Sequence, residues 1–316
     1  MKERTHLVLG AGAVGTTIAR ILANEGEKVL LASRHGIDPG IPGVGAVRVD
    51  ATRPDEVRAA AAGSRTAYFA VQPAYTDWPA GFPPLVDGVL AGLGGTGTRL
   101  VMVDNLYMYG PTGGVPITEG LPYAATTRKG RARAAVAERL LAADRDGSVR
   151  VAIGRASDFF GPGAVDSVVG ERFFGPLLAG KPVQLFGDPD VVHSYTYLPD
   201  FARALVELGR REEAFGRAWH VPTAPAVSTH RFLEMAAEAA GVPARPSRVS
   251  RLMLRLVGLA VPEAREMVEM AYEFEEPFVL DSSAFEAAFD RRPTPLEESI
   301  AATVAWWREE RENVAA

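Results

Sequence analysis

The sequence predicts an α/β fold: a doubly wound parallel sheet, with a smaller α/β lobe drawn mainly from its C-terminal half. Three observations carry that expectation. Short β-branched runs alternate with Ala-rich helical runs through the first half, which is the rhythm of strand, crossover helix and parallel strand. A Gly-x-Gly-x-x-Gly run stands between the first strand and the first helix. After Arg155 the rhythm gives way to Gly- and Pro-punctuated segments (FFGPG, FFGPLLAGKP, FGDPD), which suit long excursions from strand ends.

In chain order, apolar runs predict strands at His6–Leu9, Lys28–Ala32, Ala46–Val49, Ala67–Val71, Arg99–Val103 and Arg150–Ile153. Helical periodicity predicts helices at Val14–Asn24, Pro54–Ala61, Leu85–Leu93 and Arg128–Ala143 between them, Pro54 fitting a helix start where its missing N–H is no loss. A helix at Asp200–Arg210 and a strand at Ala218–Val221 read as a return to the main sheet. Helices at Thr229–Ala240, Pro262–Phe274 and Leu296–Arg308 follow, with a short strand at Pro277–Leu280. The run Arg251–Val261 reads as an amphipathic helix, too short and too charged to span a bilayer. The expected division is a dinucleotide-binding domain over residues 1–154, with residues 183–223 returning to it, and a substrate lobe over residues 155–316.

Bulk composition narrows the function. The 316 residues carry 34 basic and 39 acidic side chains for a net charge of -5, without a basic run, so neither nucleic acid nor a membrane surface is an expected partner. There is no cysteine, which removes disulfides and thiolate chemistry. The start, MKERTHLVLGAGAVG, lacks the apolar core and cleavage site of a signal peptide, and a cytoplasmic protein is expected. No His-Glu-x-x-His, paired-histidine or clustered-carboxylate pattern is present, so no metal is expected, and neither Gly-x-Ser-x-Gly nor a P-loop occurs.

The glycine run is the strongest chemical signal. Gly10 permits a tight turn, Gly12 lets backbone approach a pyrophosphate, and Gly15 lets helix and strand pack closely, while Ala13 and Val14 open the helix whose free N–H groups and dipole face the anion. This is the Rossmann arrangement for a dinucleotide. The tip of the second strand reads Ala32-Ser33-Arg34-His35, with no carboxylate for a ribose 2′-hydroxyl. Ser33 can donate to a 2′-phosphate and Arg34 can pair with it, so NADPH is expected over NADH. Asp50, after the third strand, stands where a loop meets the adenine, and serves equally as an N-cap at a turn. Ala70, Val71 and Gln72, after the fourth, stand toward the nicotinamide.

Beyond the cofactor signal, the fifth strand ends in Val103-Asp104-Asn105-Leu106-Tyr107-Met108-Tyr109-Gly110-Pro111, and Thr126-Thr127-Arg128-Lys129-Gly130 opens a long helix. Later come Gly154-Arg155-Ala156-Ser157-Asp158-Phe159-Phe160-Gly161-Pro162-Gly163, Gly180-Lys181-Pro182, His193 through Asp200, and Phe278 through Asp281 with Pro293-Thr294-Pro295. This order resembles the extended short-chain dehydrogenase/reductase superfamily in its NAD-dependent epimerase/dehydratase branch. The resemblance covers almost the whole chain. It implies a Ser or Thr at the fifth strand and a Tyr and Lys in a Tyr-x-x-x-Lys helix. Here Asn105 takes the first position, Lys129 the last, and Ala125 replaces the tyrosine, so the active site is atypical.

Tyr107 is the first candidate for the proton donor, since residues two apart on an extended segment share a face and it would lie beside Asn105; Tyr123 is the second. Lys129 is expected to support that proton and to hold the cofactor ribose. The resemblance to nucleotide-sugar enzymes implies an arginine gripping a substrate diphosphate near the position of His193, and its replacement by that histidine tells against a nucleotide-sugar substrate. Candidate substrate contacts are Tyr75, Trp78, Tyr107, Ser157, Asp158, Phe159 and His193, with Phe82 and Phe160 adding aromatic surface; Ser157 and Asp158 serve equally to cap a turn. The leading expectation is an NADPH-dependent oxidoreductase reducing a ketone or conjugated carbonyl of a small, rather apolar or aromatic molecule. The alternatives are an epimerase or dehydratase that retains its nicotinamide cofactor, and a non-catalytic NADP(H)-binding regulator. A monomer or a homodimer is expected.

Overall fold

The computed structural model describes residues 5–249, 266 and 268–315. They fall into two units: Met1–Met108, Arg128–Arg155 and Phe201–Val221 form the first, and Tyr109–Thr127, Ala156–Asp200 and Pro222–Ala316 form the second. Residues 183–200 lie in the second unit, and the chain re-enters the first at Phe201.

The first unit is a seven-stranded sheet of β1 (Thr5–Leu9), β2 (Lys28–Ser33), β3 (Val44–Arg48), β4 (Ser64–Phe69), β5 (Arg99–Asp104), β6 (Val151–Arg155) and β11 (Arg217–His220). Its spatial order is β11-β6-β5-β4-β1-β2-β3 and every pairing is parallel. This is the doubly wound Rossmann-like order, with β1 between the two directions of winding. Central strands covered on both faces read as continuous apolar runs: Leu7, Val8 and Leu9 in β1 and all five residues of β6 are buried.

The crossover helices are α1 (Ala13–Asn24), α2 (Pro54–Ala60), α3 (Trp78–Leu93) and α4 (Arg128–Arg145), with α6 (Leu198–Arg210) before β11. Helix α1 buries Val14, Ile18 and Leu22 on one stripe four residues apart. Helix α3 corrects the expected start at Leu85. It begins seven residues earlier and carries Pro83 and Pro84 inside it, because Trp78 and Phe82, one turn apart and both buried, anchor its first turns. Tertiary packing there overrides two residues that the sequence reads as breakers.

The second unit contains β7 (Asp158–Phe160), α5 (Glu171–Leu178), β8 (Val183–Phe186), β9 (Val192–His193), β10 (Tyr195–Tyr197), β12 (Val227–Ser228), α7 (Thr229–Ala240), β13 (Pro246–Val249), α8 (Ser283–Phe289) and α9 (Leu296–Ala315). The strands form three two-stranded pieces: β7 parallel to β10, β9 antiparallel to β12, and β8 parallel to β13. The strand expected at Pro277–Leu280 is instead two isolated bridges, Ile117 to Leu280 and His193 to Phe278, since each residue finds a different single partner. The run Arg251–Val261 lies outside the described residues. Residues 262–265 and 267 of the helix expected at Pro262–Phe274 do too, and its end is a 3-10 turn, Ala271–Phe274.

Helix α7 starts on Ser228, whose side chain accepts the Arg231 N–H at 3.1 Å, and stops at Gly241 in the left-handed region. It lays Phe232 into a core with Phe160, Phe173, Phe174, Tyr195 and, from α9, Trp307. No helix among the described residues is long and apolar enough to cross a membrane.

Candidate functional site

The turn from β1 into α1 is locked by two glycines and left open at the third. Gly10 has a φ of +111° and its N–H reaches Ala32 O at 2.8 Å; a Cβ there would stand 2.7 Å from the backbone of Ala70. A Cβ on Gly15 would stand 1.9 Å from the Gly10 carbonyl oxygen. Gly12, the N-cap of α1, would meet nothing within 4 Å, and no side chain caps the helix. Gly10, Gly12, Ala13, Val14, Gly15, Ala70 and Val71 therefore gather around one helix mouth, where the first-turn amides need an acceptor. Packing does not require Gly12 to lack a side chain, so the fit is to a group that comes close to this backbone. Gln72 is exposed in the loop that follows β4.

At the tips of β2 and β3, Ser33 Oγ accepts the Gly36 N–H at 3.0 Å, and its own hydroxyl proton remains a donor. Arg34 is exposed. The Asp50 carboxylate accepts both the N–H and the hydroxyl of Thr52, at 3.0 and 2.8 Å, and these bonds hold it below the usual carboxylate range, with Arg53 and Arg34 adding to the effect. Asp50 is thus a turn cap within the field of Arg34.

The end of β5 departs from the extended geometry expected of Asn105 and Tyr107. The strand stops at Asp104 and a 3-10 turn, Tyr107–Tyr109, follows, because Asn105 Oδ1 accepts the Tyr107 N–H at 3.2 Å and curls the chain. Tyr107 then stacks on Trp78, ring centroids 5.6 Å apart, and Trp78 meets Tyr75 edge-on at 5.3 Å. Lys129, buried on α4, carries its Nζ 4.4 Å from the Tyr75 ring centroid. Tyr75, Trp78, Tyr107 and Lys129 are therefore one connected set in the first unit. Trp78 is buried within it, and Tyr75 and Tyr107 are half-buried.

The second unit holds Ser157, Asp158, Phe159 and His193. The Ser157 N–H donates to Thr196 Oγ1 at 3.1 Å, tying the start of β7 to β10. His193 is sandwiched between Phe274 and Phe278, at 4.6 and 5.3 Å. Its Nδ1 lies 2.9 Å from the Glu273 backbone oxygen and its Nε2 lies 3.0 Å from Asp158 Oδ2. A carbonyl oxygen can only accept, so Nδ1 carries a hydrogen, and Nε2 faces the Asp158 carboxyl. Glu273 is 2% exposed, and burial, with Asp158 adding to it, pushes its carboxyl well above the usual range.

Residues 85–221 match a family model described as the NAD dependent epimerase/dehydratase family. That match spans less than half of the chain. No curated protein matches the sequence. Solved structures resemble the chain over nearly its whole length. An epimerase from the methanogen Methanothermobacter thermautotrophicus is 18% identical with a TM-score of 0.82, covering 99% of this chain and 94% of its own. A UDP-glucuronic acid 4-epimerase from Bacillus cereus, in complex with NAD, is 14% identical with a TM-score of 0.78, covering 97% and 99%. A nucleoside-diphosphate-sugar epimerase from Pseudomonas aeruginosa is 18% identical with a TM-score of 0.75, covering 97% and 98%. At these identities the likeness is one of fold.

The residues that sequence reasoning missed are the charged groups beneath the aromatic set. Asp104 ends β5 and is shared by two arginines: Arg155 Nε stands 3.1 Å from its Oδ2 and an Arg133 terminal nitrogen 3.4 Å from its Oδ1. Both arginines are 0% exposed. Arg133 also lies over the rings of Trp78 and Phe82, at 4.5 and 4.4 Å. A signal existed in the sequence: Lys129 and Arg133 are four apart on α4, so they share a face, and that face is buried. Glu273 gave no such signal, since its burial depends on residues distant in sequence.

Proposed function

We propose that the protein binds a nicotinamide dinucleotide on its first unit and uses it for epimerase or dehydratase chemistry, taking a hydride from a carbinol carbon and returning it to the same molecule. The glycine turn carries the reading: Gly10 and Gly15 are fixed by backbone contacts, whereas Gly12 is open to whatever approaches α1. The match to the NAD dependent epimerase/dehydratase family supports the reaction class. When bound, the nicotinamide supplies the reversible hydride acceptor.

The chain's own groups do the rest. Amides at the mouth of α1 hold the pyrophosphate, and Asn105 fixes the turn that presents the Tyr107 hydroxyl. Tyr107 takes the proton released as the carbinol becomes a carbonyl and gives it back, and Lys129 holds the cofactor ribose and supports that proton with its charge. Ser33 and Arg34 receive a 2′-phosphate, so NADP(H) is preferred to NAD(H). Ser157, Asp158, Phe159 and His193 contact the substrate.

A second reading, NADPH-dependent reduction of a ketone or conjugated carbonyl, is favoured by the half-buried rings of Tyr75 and Tyr107, which suit an apolar ligand. The test is a fluorescence titration with NADPH and NADH, with nucleotide analysis of the purified protein. Binding of NADPH at least about tenfold tighter, abolished in Arg34→Ala, is the expected result. No affinity for either nucleotide overturns the proposal, and stoichiometric consumption of NADPH by a carbonyl substrate decides for the reductase.

A further inference from the structure

Arg133 is expensive to bury and its surroundings do not explain it as a stabilising group. Two guanidiniums face one carboxylate, and Asp104 has its better contact with Arg155, 3.1 Å against 3.4 Å for Arg133. Arg133 Nε finds no hydrogen-bond acceptor among the described residues, and the terminal nitrogen near Asp104 makes only the ion-pair contact. The guanidinium is held instead by the faces of Trp78 and Phe82. Removing Arg133 leaves a matched Asp104–Arg155 pair, so a core selected for stability alone gains nothing by keeping it.

What the arrangement does create is a fixed cation behind Trp78, the ring on which Tyr107 stacks. We infer that Arg133 is a positioning residue for proton transfer: its buried charge, acting past Trp78, stabilises the ionised form of Tyr107 and so makes its phenol a better acid. This rests on the reading of Tyr107 as the proton-transferring group.

Among the described residues of the first unit, Arg133 lies over Trp78, Lys129 lies over Tyr75, and Asp104 and Arg155 complete the charged cluster with Arg133. The groups acting on Arg133 are Asp104, Tyr107 and Arg155, and burial lowers its own proton affinity. The Arg133 charge is buried away from water, which would screen it, so its field reaches Tyr107 past Trp78. The hydroxyl of Tyr107 is on a half-buried residue, so it can exchange protons while the arginine cannot.

The experiment is an ultraviolet difference titration of tyrosine ionisation, each protein read against its own Tyr107→Phe partner to isolate one residue among the 8 tyrosines. Arg133→Met should move the Tyr107 midpoint up by about one pH unit, and Arg133→Lys should hold it nearer the parent. If Arg133→Met does not fold, Asp104→Asn supplies the opposite sign, since removing the carboxylate strengthens the positive field and lowers the midpoint. A midpoint that stays within about 0.3 units in Arg133→Met, or that rises in Asp104→Asn, overturns the inference. The readout needs no substrate. A shifted midpoint in a protein that binds no nicotinamide nucleotide keeps the role of Arg133 and removes the proposed function; activity without a shift does the reverse.

Discussion

The two units bury their polar groups with different electrostatics. In the first, Arg133 and Arg155 both face Asp104 in a site closed to water. In the second, the Glu273 backbone oxygen and the Asp158 carboxyl lie against the two ring nitrogens of His193, and burial raises the proton affinity of the Glu273 carboxyl. Fixed charge can polarise a neighbour at any pH, whereas a titrating cluster changes state with pH. Both cost folding free energy that an apolar core of the same volume would not, which is why each marks a place where something other than stability was selected.

The largest effect is expected where the first unit has no freedom to adjust. Gly15→Ala puts a methyl 1.9 Å from the Gly10 carbonyl, backbone against backbone, and should abolish nucleotide binding with a stability loss above about 4 kcal/mol, read by denaturant melt and titration. Gly12→Ala meets nothing within 4 Å. It should melt within about 1 °C of the parent, yet bind nucleotide about tenfold more weakly. If both variants bind alike, the distinction between a packing glycine and a binding glycine fails. In the second unit the comparable loss is Phe232→Ala. Phe232 meets Phe160, Phe173 and Tyr195 with centroids 4.6 to 5.5 Å away, and its removal should cost about 3–5 kcal/mol without altering nucleotide affinity.

The sequence revealed the first unit far better than the second, for a physical reason. Its strands are covered by helices on both faces, so β1 and β6 announce themselves as unbroken apolar runs and α1 as a clear stripe. In the second unit β9 and β12 are two residues each, and β7 and β10 three, too short for alternation to register. The start of α3 was hidden because prolines speak locally while Trp78 and Phe82 are held by distant partners. In the candidate site, the glycines are legible since their role is local backbone geometry. The Asp104, Arg133 and Arg155 cluster is not, because it joins three segments far apart in sequence.

The smallest effects are those of pH, and their signs separate the units. Glu273 has a folded-state proton affinity raised by burial first and Asp158 second, so it stabilises the fold fully below the usual glutamate range. That contribution is lost as pH rises from there toward the raised value. Glu273→Gln should therefore match the parent near about pH 4 and melt several degrees above it near about pH 8, measured by thermal scans. His6 in β1 behaves oppositely. Burial lowers its proton affinity, with Glu27 working against that at 3.7 Å, so its contribution is present above its ordinary midpoint of 6.5 and declines as pH falls below that toward the depressed value. His6→Gln should flatten the acid side of the stability curve by less than about 1 kcal/mol, since Glu27 offsets part of the burial. Hydrogen exchange assigns each slope: acid should loosen the amides of β1 first and alkali those around β9. If a single pH profile governs both sets of amides, the units are energetically one, and the contrast between a fixed-charge cluster and a titrating one loses its meaning for stability.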